Sequence, residues 1–371
     1  MPARKDKRCR RCPTMVYRDS LTGLCLLCLN KQRSDQKPDA LVASDREKQR
    51  VAFDLSTTKK KYNQALSEIK RLEKELYSVN ELQALGVEPI VIEPKEPSGT
   101  AEGTVILVTS DWHVEERVDP AKVSFLNEYN LDIAKTRAEK FFRSSLRLTR
   151  LLQQDIKIRT VIFALLGDFI SNDIHEEFPE INALEPMHAL HYAQNLIVGG
   201  IEYLLENSEL NFVIPCHSGN HARTTRTTRF GTENGHSLEY LMYLHLATHF
   251  RGNSRVEFRI SEGYHSYVEL YGKTIRFHHG HMINYQGGIG GIFIPAFKAI
   301  SQWDKARQAD LDIFGHFHQS KDGGKFICNG SLIGYNTYGL SIKADFEPPK
   351  QTLLLIDKQR GRTCTWPILM K

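Results

Sequence analysis

The sequence predicts an α/β (α+β) protein: one large domain of alternating strands and helices, preceded by a small cysteine-bearing module and a long helix. Three observations predict it. From Thr104 onward, short apolar runs alternate with longer amphipathic stretches. Four of the seven cysteines lie within the first 28 residues as two CxxC pairs. Between module and domain, from about Asp45 to Leu85, apolar side chains recur with a seven-residue period.

The module, residues 1–33, contains Cys9-x-x-Cys12 and Cys25-x-x-Cys28, with twelve residues between the pairs. Paired knuckles at this spacing read as a four-cysteine zinc ribbon. So short a segment has almost no core, and bound zinc must supply its folding free energy. Nine Lys or Arg against Asp6 and Asp19 give the module +7, whereas the other 40 basic and 42 acidic residues give −2. The whole-chain charge of +5 therefore belongs to the module. Beyond stapling the segment, the ribbon is expected to bind nucleic acid, DNA first, through the Arg and Lys around its first knuckle. Docking to another protein is the alternative.

Residues 45–85 follow as a helix. Leu55, Tyr62, Ile69 and Leu76 recur every seven residues, each followed three places later by Thr58, Ala65, Leu72 and Val79. This a/d pattern predicts a coiled coil, and with it a homodimer. Thr and Ala weaken two d positions, so a stripe packed on the large domain is the other reading. Gly86 and the Pro-bearing run to Gly99 make residues 86–103 an extended linker.

In the large domain, 104–371, helical patterning covers Ile133–Gln153 and Pro186–Asn207, and Tyr267–Phe277 reads as a hairpin. Five apolar runs read as strands: Val105–Thr109, Val161–Leu166, Phe212–Pro215, Ile275–Phe277 and Leu311–Phe314. Each is followed by metal-binding side chains, in turn Asp111 and His113, Asp168, Asn220 and His221, His279 and His281, and His316 and His318. Five strand ends delivering Asp, Asn or His to one sheet edge make a site for two metal ions. The oxygen and imidazole donors suit divalent ions such as Mn, Fe or Zn, and the lack of Cys argues against a purely structural zinc there. Two cations so close need a bridging carboxylate, and Asp168, at a strand end, fits that role.

The ordered motifs Asp-x-His, Gly-Asp, Gly-Asn-His, a later His and Gly-His-x-His resemble those of the calcineurin-like metallophosphoesterases. That family includes purple acid phosphatases and the nuclease of the double-strand-break repair complex. The pattern, including Asn172-Asp-Ile-His-Glu-Glu177, looks most like phage-encoded members described as phosphoesterases or repair exonucleases. The resemblance implies a four-layer sandwich of two mixed β-sheets flanked by helices. It further implies one ion on Asp111, His113, Asp168 and His318, and a second on Asp168, Asn220, His279 and His316. Mn2+ is the first expectation, with Fe, Zn, Ni or Co as alternatives. His221 would act as general acid beside the open face, while water activated at the centre attacks phosphorus in line without a covalent enzyme intermediate. Two departures stand out: Ser171 and Asp173 replace the family's usual Asp and Gly after Gly-Asp, and Ala222-Arg223 follows Gly-Asn-His. Neither removes a ligand, and both alter the rim.

Strand alternation puts His279 and His281 on one face and His278 on the other. On the residues alone the first two are not separated; the family pattern selects His279 as the ligand and makes His281 a substrate contact. Asn172, His175 and Arg223 are further candidates for binding substrate. Arg223, Arg226 and Arg229 form either a phosphate clamp or a solvated loop. His217 reads equally as support for the centre or as a structural residue, His188, His191, His245 and His249 as packing or surface residues, and Tyr285–Gly291 as a flexible rim. No run approaches a membrane span, the N-terminus lacks the apolar stretch of a signal peptide, and Cys216, Cys328 and Cys364 read as buried thiols in a reducing compartment. The expected location is therefore cytoplasmic, that of the host if phage-encoded. The functional expectation is a dimetal phosphodiesterase acting on DNA. A phosphomonoesterase with a protein-docking ribbon comes second, and a binding protein with a vestigial site third.

Overall fold

The computed structural model describes residues 5–8, 10, 12–13, 15–17, 24–34, 38–84, 101–285, 290–341 and 343–371. It divides into two compact units, Met1–Pro94 and Lys95–Lys371. In the first, strands β1 (Lys5–Arg8) and β2 (Met15–Tyr17) pair antiparallel, and helix α1 (Leu26–Ser34) follows. Helix α2 then runs over Pro38–Ala84, so it begins earlier than the heptad alone predicts. At 47 residues it extends roughly 70 Å at 1.5 Å per residue. Leu55, Tyr62, Ile69, Leu72 and Leu76 of its stripe are exposed. Cys9 and linker residues 86–100 lie outside the described residues.

The second unit begins with β3 (Glu102–Thr109), two residues before the expected start at Thr104. There follow α3 (Leu131–Leu152), β4 (Lys157–Leu165), the short α4 (Phe178–Ile181), α5 (Pro186–Glu206), β5 (Asn211–Cys216), α6 (Leu238–His249) and β6 (Val256–Ile260). A second series comprises β7 (Ser266–Leu270), β8 (Lys273–Phe277), α7 (Phe293–Trp303), β9 (Leu311–Phe314), β10 (Lys321–Asp322) and β11 (Phe326–Cys328). The chain closes with α8 (Thr337–Ser341), β12 (Lys350–Asp357) and β13 (Gly361–Leu369).

The strands form two mixed sheets, ordered β13-β12-β3-β4-β5-β6 and β10-β11-β9-β8-β7. Strands β3 to β6 run parallel because α3, α5 and α6 each carry the chain back across the sheet, whereas β12 returns antiparallel beside β3. Period-two alternation decides the layers. Val105, Leu107, Val161, Phe163, Leu165, Leu353 and Leu355 face a core shared with α3, α5 and α6. Their neighbours Ile106, Val108, Ile162, Ala164, Leu166, Leu354 and Ile356 face the second sheet through Val268, Ile275, Phe277, Leu311, Ile313 and Ile327. The outer face of that second sheet, with Phe314, Phe326 and Cys328, is covered by Ala296 and Ile300 of α7. The result is helix, sheet, sheet, helix: four layers, matching the expected sandwich. The β7–β8 hairpin turns on Tyr271 and Gly272, both at positive φ, the pair of angles a two-residue turn between twisted strands demands. Among the described residues, no helix is long and apolar enough to cross a membrane.

Candidate metal centre

Because β3, β4 and β5 are parallel neighbours, their carboxyl ends open on one edge of the larger sheet. Strands β8 and β9 are parallel neighbours in the second sheet, and their ends reach the same place. The turns that follow are laced together: Asp111 N donates to Gly167 O at 2.9 Å, Trp112 N to Asp168 O at 2.8 Å, and Gly315 N to His279 O at 2.8 Å. The motif glycines permit this approach. A Cβ on Gly219 would lie 2.0 Å from Asp168 Oδ1, and one on Gly167, itself at φ +86°, 2.2 Å from Gly219 N.

Three groups of donors result, each with ligand atoms within 4.8 Å of one another: Asp111, His113 and His318; His113, Asp168 and His221; Asp168, His279 and His316. Asp168 belongs to two of them and is buried between the others. Asn220 Oδ1 is buried with no hydrogen-bond partner. His113 Nε2 and His318 Nε2 face each other at 3.2 Å, and His318 Nε2 lies 3.5 Å from Asp111 Oδ1. Buried carboxylates, imidazoles and an unpartnered amide oxygen converging in this way fit divalent cations well. Six of the seven residues singled out as ligands in the sequence fall into these groups, and the seventh, Asn220, presents a buried amide oxygen without a partner.

The backbone bears a second mark. Asp111, His113, Asp168, His316 and His318 all have φ between +49° and +71°. Residues with side chains avoid this left-handed region, at a cost of order 1–3 kcal/mol each, and such strain gathers where function requires it. Here five donors with this backbone follow three strand ends, those of β3, β4 and β9.

The electrostatics describe a site built for positive charge. Burial, with the charge of Asp168 adding to it, pushes Asp111 up to about 7. Burial works against ionisation of Asp168 too, but His279 and His221 hold its carboxyl well below the usual carboxylate range. His279 shows the converse: burial would lower it, yet Asp168, 2.9 Å away, raises it to about 10. Burial and neighbouring imidazoles push His113 and His316 well down and His318 to about 4, leaving their rings neutral as ligation requires. In the metal-free protein the His279 proton thus occupies the place of a cation. Binding of Mn2+ at pH 7 to 8 is expected to release that proton and part of one from Asp111, so affinity rises with pH towards 10. Calorimetry in two buffers of different ionisation enthalpy reads the proton count. A count of zero would exclude His279 from the ligand set.

His221 stands beside the donors. Its backbone N–H donates to Asp168 Oδ1 at 2.8 Å and its Nδ1 to the Ser171 carbonyl at 3.0 Å, which leaves Nε2 towards the centre, 3.9 Å from Asp168 Oδ2. The substrate candidates divide. Arg223 Nη1 donates to Asn220 O, and Arg223 lines a polar cavity of about 350 Å³ with Asn172, Asp173, Thr224, Thr225 and Arg226. Asn172 spends its amide on the protein: Nδ2 donates to His221 O and Arg223 O, and Oδ1 accepts from Asp173 N. It braces the loop rather than presenting donors to a substrate. His175 is exposed, its ring 6.1 Å from that of His221. His281 is buried with both ring nitrogens unpartnered, 3.7 Å from Glu233 Oε1. His278 does point to the opposite face, stacked on Phe314 at 5.0 Å. His217 bonds Ser266 Oγ at 2.7 Å, while His188, His191, His245 and His249 are exposed. Residues 286–289 of the glycine-rich rim lie outside the described residues.

Sequence reasoning missed the groups that hold these turns. Glu239 of α6 accepts from Phe169 N at 2.6 Å and Gly219 N at 2.7 Å, tying the second and third motifs together. A signal existed: Glu239 shares the buried face of α6 with Met242, Tyr243 and Leu246, where a carboxylate is out of place. Gln351 of β12 bonds both Ser110 N and Ser110 O, and Ser110 Oγ donates to Asp111 Oδ2. No local pattern marks that contact.

In the cysteine module, Cys12, Cys25 and Cys28 also cluster with sulfur atoms within 4.8 Å, Cys12 and Cys25 at 3.4 Å. Cys25 immediately precedes α1 and Cys28 lies in its first turn. Three thiols so placed could hold a metal ion.

No protein-family model matches the chain, and no curated protein matches its sequence. Solved structures do. An archaeal phosphodiesterase aligns at 15% identity and TM-score 0.33 over 71% of this chain and 99% of its own. Zinc-complexed Vps29 from Entamoeba histolytica aligns at 14% and 0.28 over 71% and 99%. A hypothetical protein from Pyrococcus horikoshii aligns at 12% and 0.33 over 72% and 87%. Likenesses this distant say nothing of activity; the fold rests on the strand order and layers of this chain.

Proposed function

We propose that the chain is a dimetal-dependent phosphoester hydrolase, and specifically a phosphodiesterase that acts on DNA. The observation that supports this most is the shared position of Asp168, between two sets of buried donors, with a non-ligating histidine pinned to it. Asp111, His113, Asp168 and His318 would hold one ion, and Asp168, Asn220, His279 and His316 the other. Two such ions, Mn2+ by first expectation, supply Lewis-acid polarisation of the phosphoryl group and lower the pKa of water. The protein's own part is orientation and proton movement. Burial lowers the pKa of His221, while Asp168 and the Ser171 carbonyl favour its charged form. An arriving phosphate adds negative charge on the Nε2 side, so the imidazolium can pass its Nε2 proton to the departing oxygen. Arg223 sits where a guanidinium can grip a phosphate oxygen.

DNA is favoured over a small phosphate ester by charge. The +7 of residues 1–33 suits a polyanion, with zinc at Cys9, Cys12, Cys25 and Cys28 as the staple. The exposed stripe of α2 supports a homodimer, which would present two basic modules to one duplex. A variant lacking residues 1–94 keeps β3 whole and is expected to cleave bis-p-nitrophenyl phosphate at the full-length rate. It should bind DNA much more weakly, and the full-length protein should lose affinity steeply with salt. Equal DNA affinity for both proteins at low salt rejects the nucleic-acid role of the module. Faster turnover of p-nitrophenyl phosphate than of the diester or labelled DNA, with Mn2+, replaces the nuclease by a phosphomonoesterase.

A further inference from the structure

Ser171 stands where three lines of the centre cross. Its carbonyl accepts from His221 Nδ1, its N–H donates to Glu115 Oε1 at 2.7 Å, and its Oγ lies 3.0 Å from His113 Nδ1 and 3.1 Å from Glu116 Oε2. All these groups but the partly exposed His221 are buried. A hydroxyl and an imidazole can each donate or accept, so the His113–Ser171 contact has no direction of its own. Its direction comes from further out. Asn336 Oδ1 accepts from Gly339 N at 3.0 Å, which turns Asn336 Nδ2 to donate to Glu116 Oε1 at 2.8 Å. Glu116 Oε2 then takes the single hydroxyl hydrogen of Ser171. Oγ is left to accept, and only the Nδ1–H form of His113 can donate to it. That form places the Nε2 lone pair towards His318 and Asp111.

We propose that Glu116, acting through Ser171, sets the tautomer of His113 and so makes its Nε2 a ligand for a divalent cation. Glu116 and Ser171 are positioning residues. The role rests on the dimetal reading, but the tautomer is a property of the metal-free chain.

The polarity of the relay makes an unusual demand on mutants. In Glu116→Gln, which preserves size, the side-chain carbonyl must face Asn336 Nδ2, so the amide faces Ser171 and donates to Oγ. The hydroxyl hydrogen is driven onto His113 Nδ1, and the ring hydrogen moves to Nε2, where it blocks coordination. Ser171→Ala merely deletes the relay and leaves the ring free to choose. Outer-shell changes at metal-bound histidines weaken affinity by about 10- to 100-fold. Glu116→Gln is expected to lose Mn2+ affinity over that range, Ser171→Ala a smaller factor, and the double mutant to return to the Ser171→Ala level. Work at pH 8.5 keeps Glu116 ionised, since burial raises it only to about 7. Calorimetric Mn2+ titration gives the affinities. Nitrogen-15 spectra of labelled histidine in the metal-free proteins give the tautomer: Nδ1–H in the native chain, Nε2–H in Glu116→Gln. An unchanged tautomer in Glu116→Gln overturns the proposal, as does a double mutant worse than Ser171→Ala. A native chain that shows the expected tautomers yet binds no Mn2+ overturns the dimetal reading instead and leaves the relay standing.

Discussion

Asp168→Ala is expected to abolish metal-dependent phosphoester hydrolysis and to release at least one of the two proposed ions. Two unit charges 4 Å apart in a partly buried site repel by about 4 kcal/mol, and two divalent ions by about four times as much. Only an anion shared between them offsets this, and Asp168 is the carboxylate common to two of the donor groups. Its loss has a second readout. With Asp168 gone, His279 loses its main raising partner and burial drives its pKa down from about 10. Asp168→Asn, which retains an acceptor for the His221 N–H, separates charge from packing and should also be inactive. Metal analysis, histidine titration and turnover on a chromogenic diester check the result. Full activity of metal-stripped Asp168→Ala protein would falsify the dimetal mechanism.

His221→Ala is expected to keep both proposed ions and, if DNA is the substrate as proposed, to lose about 10²- to 10⁴-fold in turnover on it, the range for removal of a general acid. The side chain reaches the centre without being needed to fill it: Nδ1 is committed to Ser171 O and the N–H to Asp168, leaving only Nε2 to act. A general acid matters most when the departing oxygen is a poor leaving group. The loss should therefore be large for DNA, which expels an alkoxide, and small for bis-p-nitrophenyl phosphate, which expels a stable phenolate. An equal loss on both substrates argues against proton donation. Fewer bound ions in His221→Ala would instead make His221 a ligand, as its place in a donor group with His113 and Asp168 allows.

The strands behind the metal-binding motifs were legible because buried parallel strands are written as continuous apolar runs. β5 and β9 fall within a residue of where the pattern puts them, while β4 starts four residues earlier than its apolar run. The start of α2 was not, since Lys48 and Ser44 interrupt the apolar repeat before the helix reaches its first residues. β12 was missed for a different reason. Its Gln351 closes on Ser110 across 241 residues, a pairing that loop closure and packing decide and no local window contains.

By itself the sequence determined the donor inventory, its order along the chain and the strand ends that bear it, because side-chain chemistry and hydrophobic period are local properties. It also determined the charge split between module and domain. Only the tertiary structure decided that ends from two different sheets meet at one edge, and that five donors sit at positive φ to face one another. The same holds for Glu239, Glu116 and Gln351, which brace these turns through partners 20 or more residues away in sequence. These depend on which buried polar group finds which partner. In a close-packed interior most such groups find one, and the partner is chosen by the fold rather than by its neighbours in the chain.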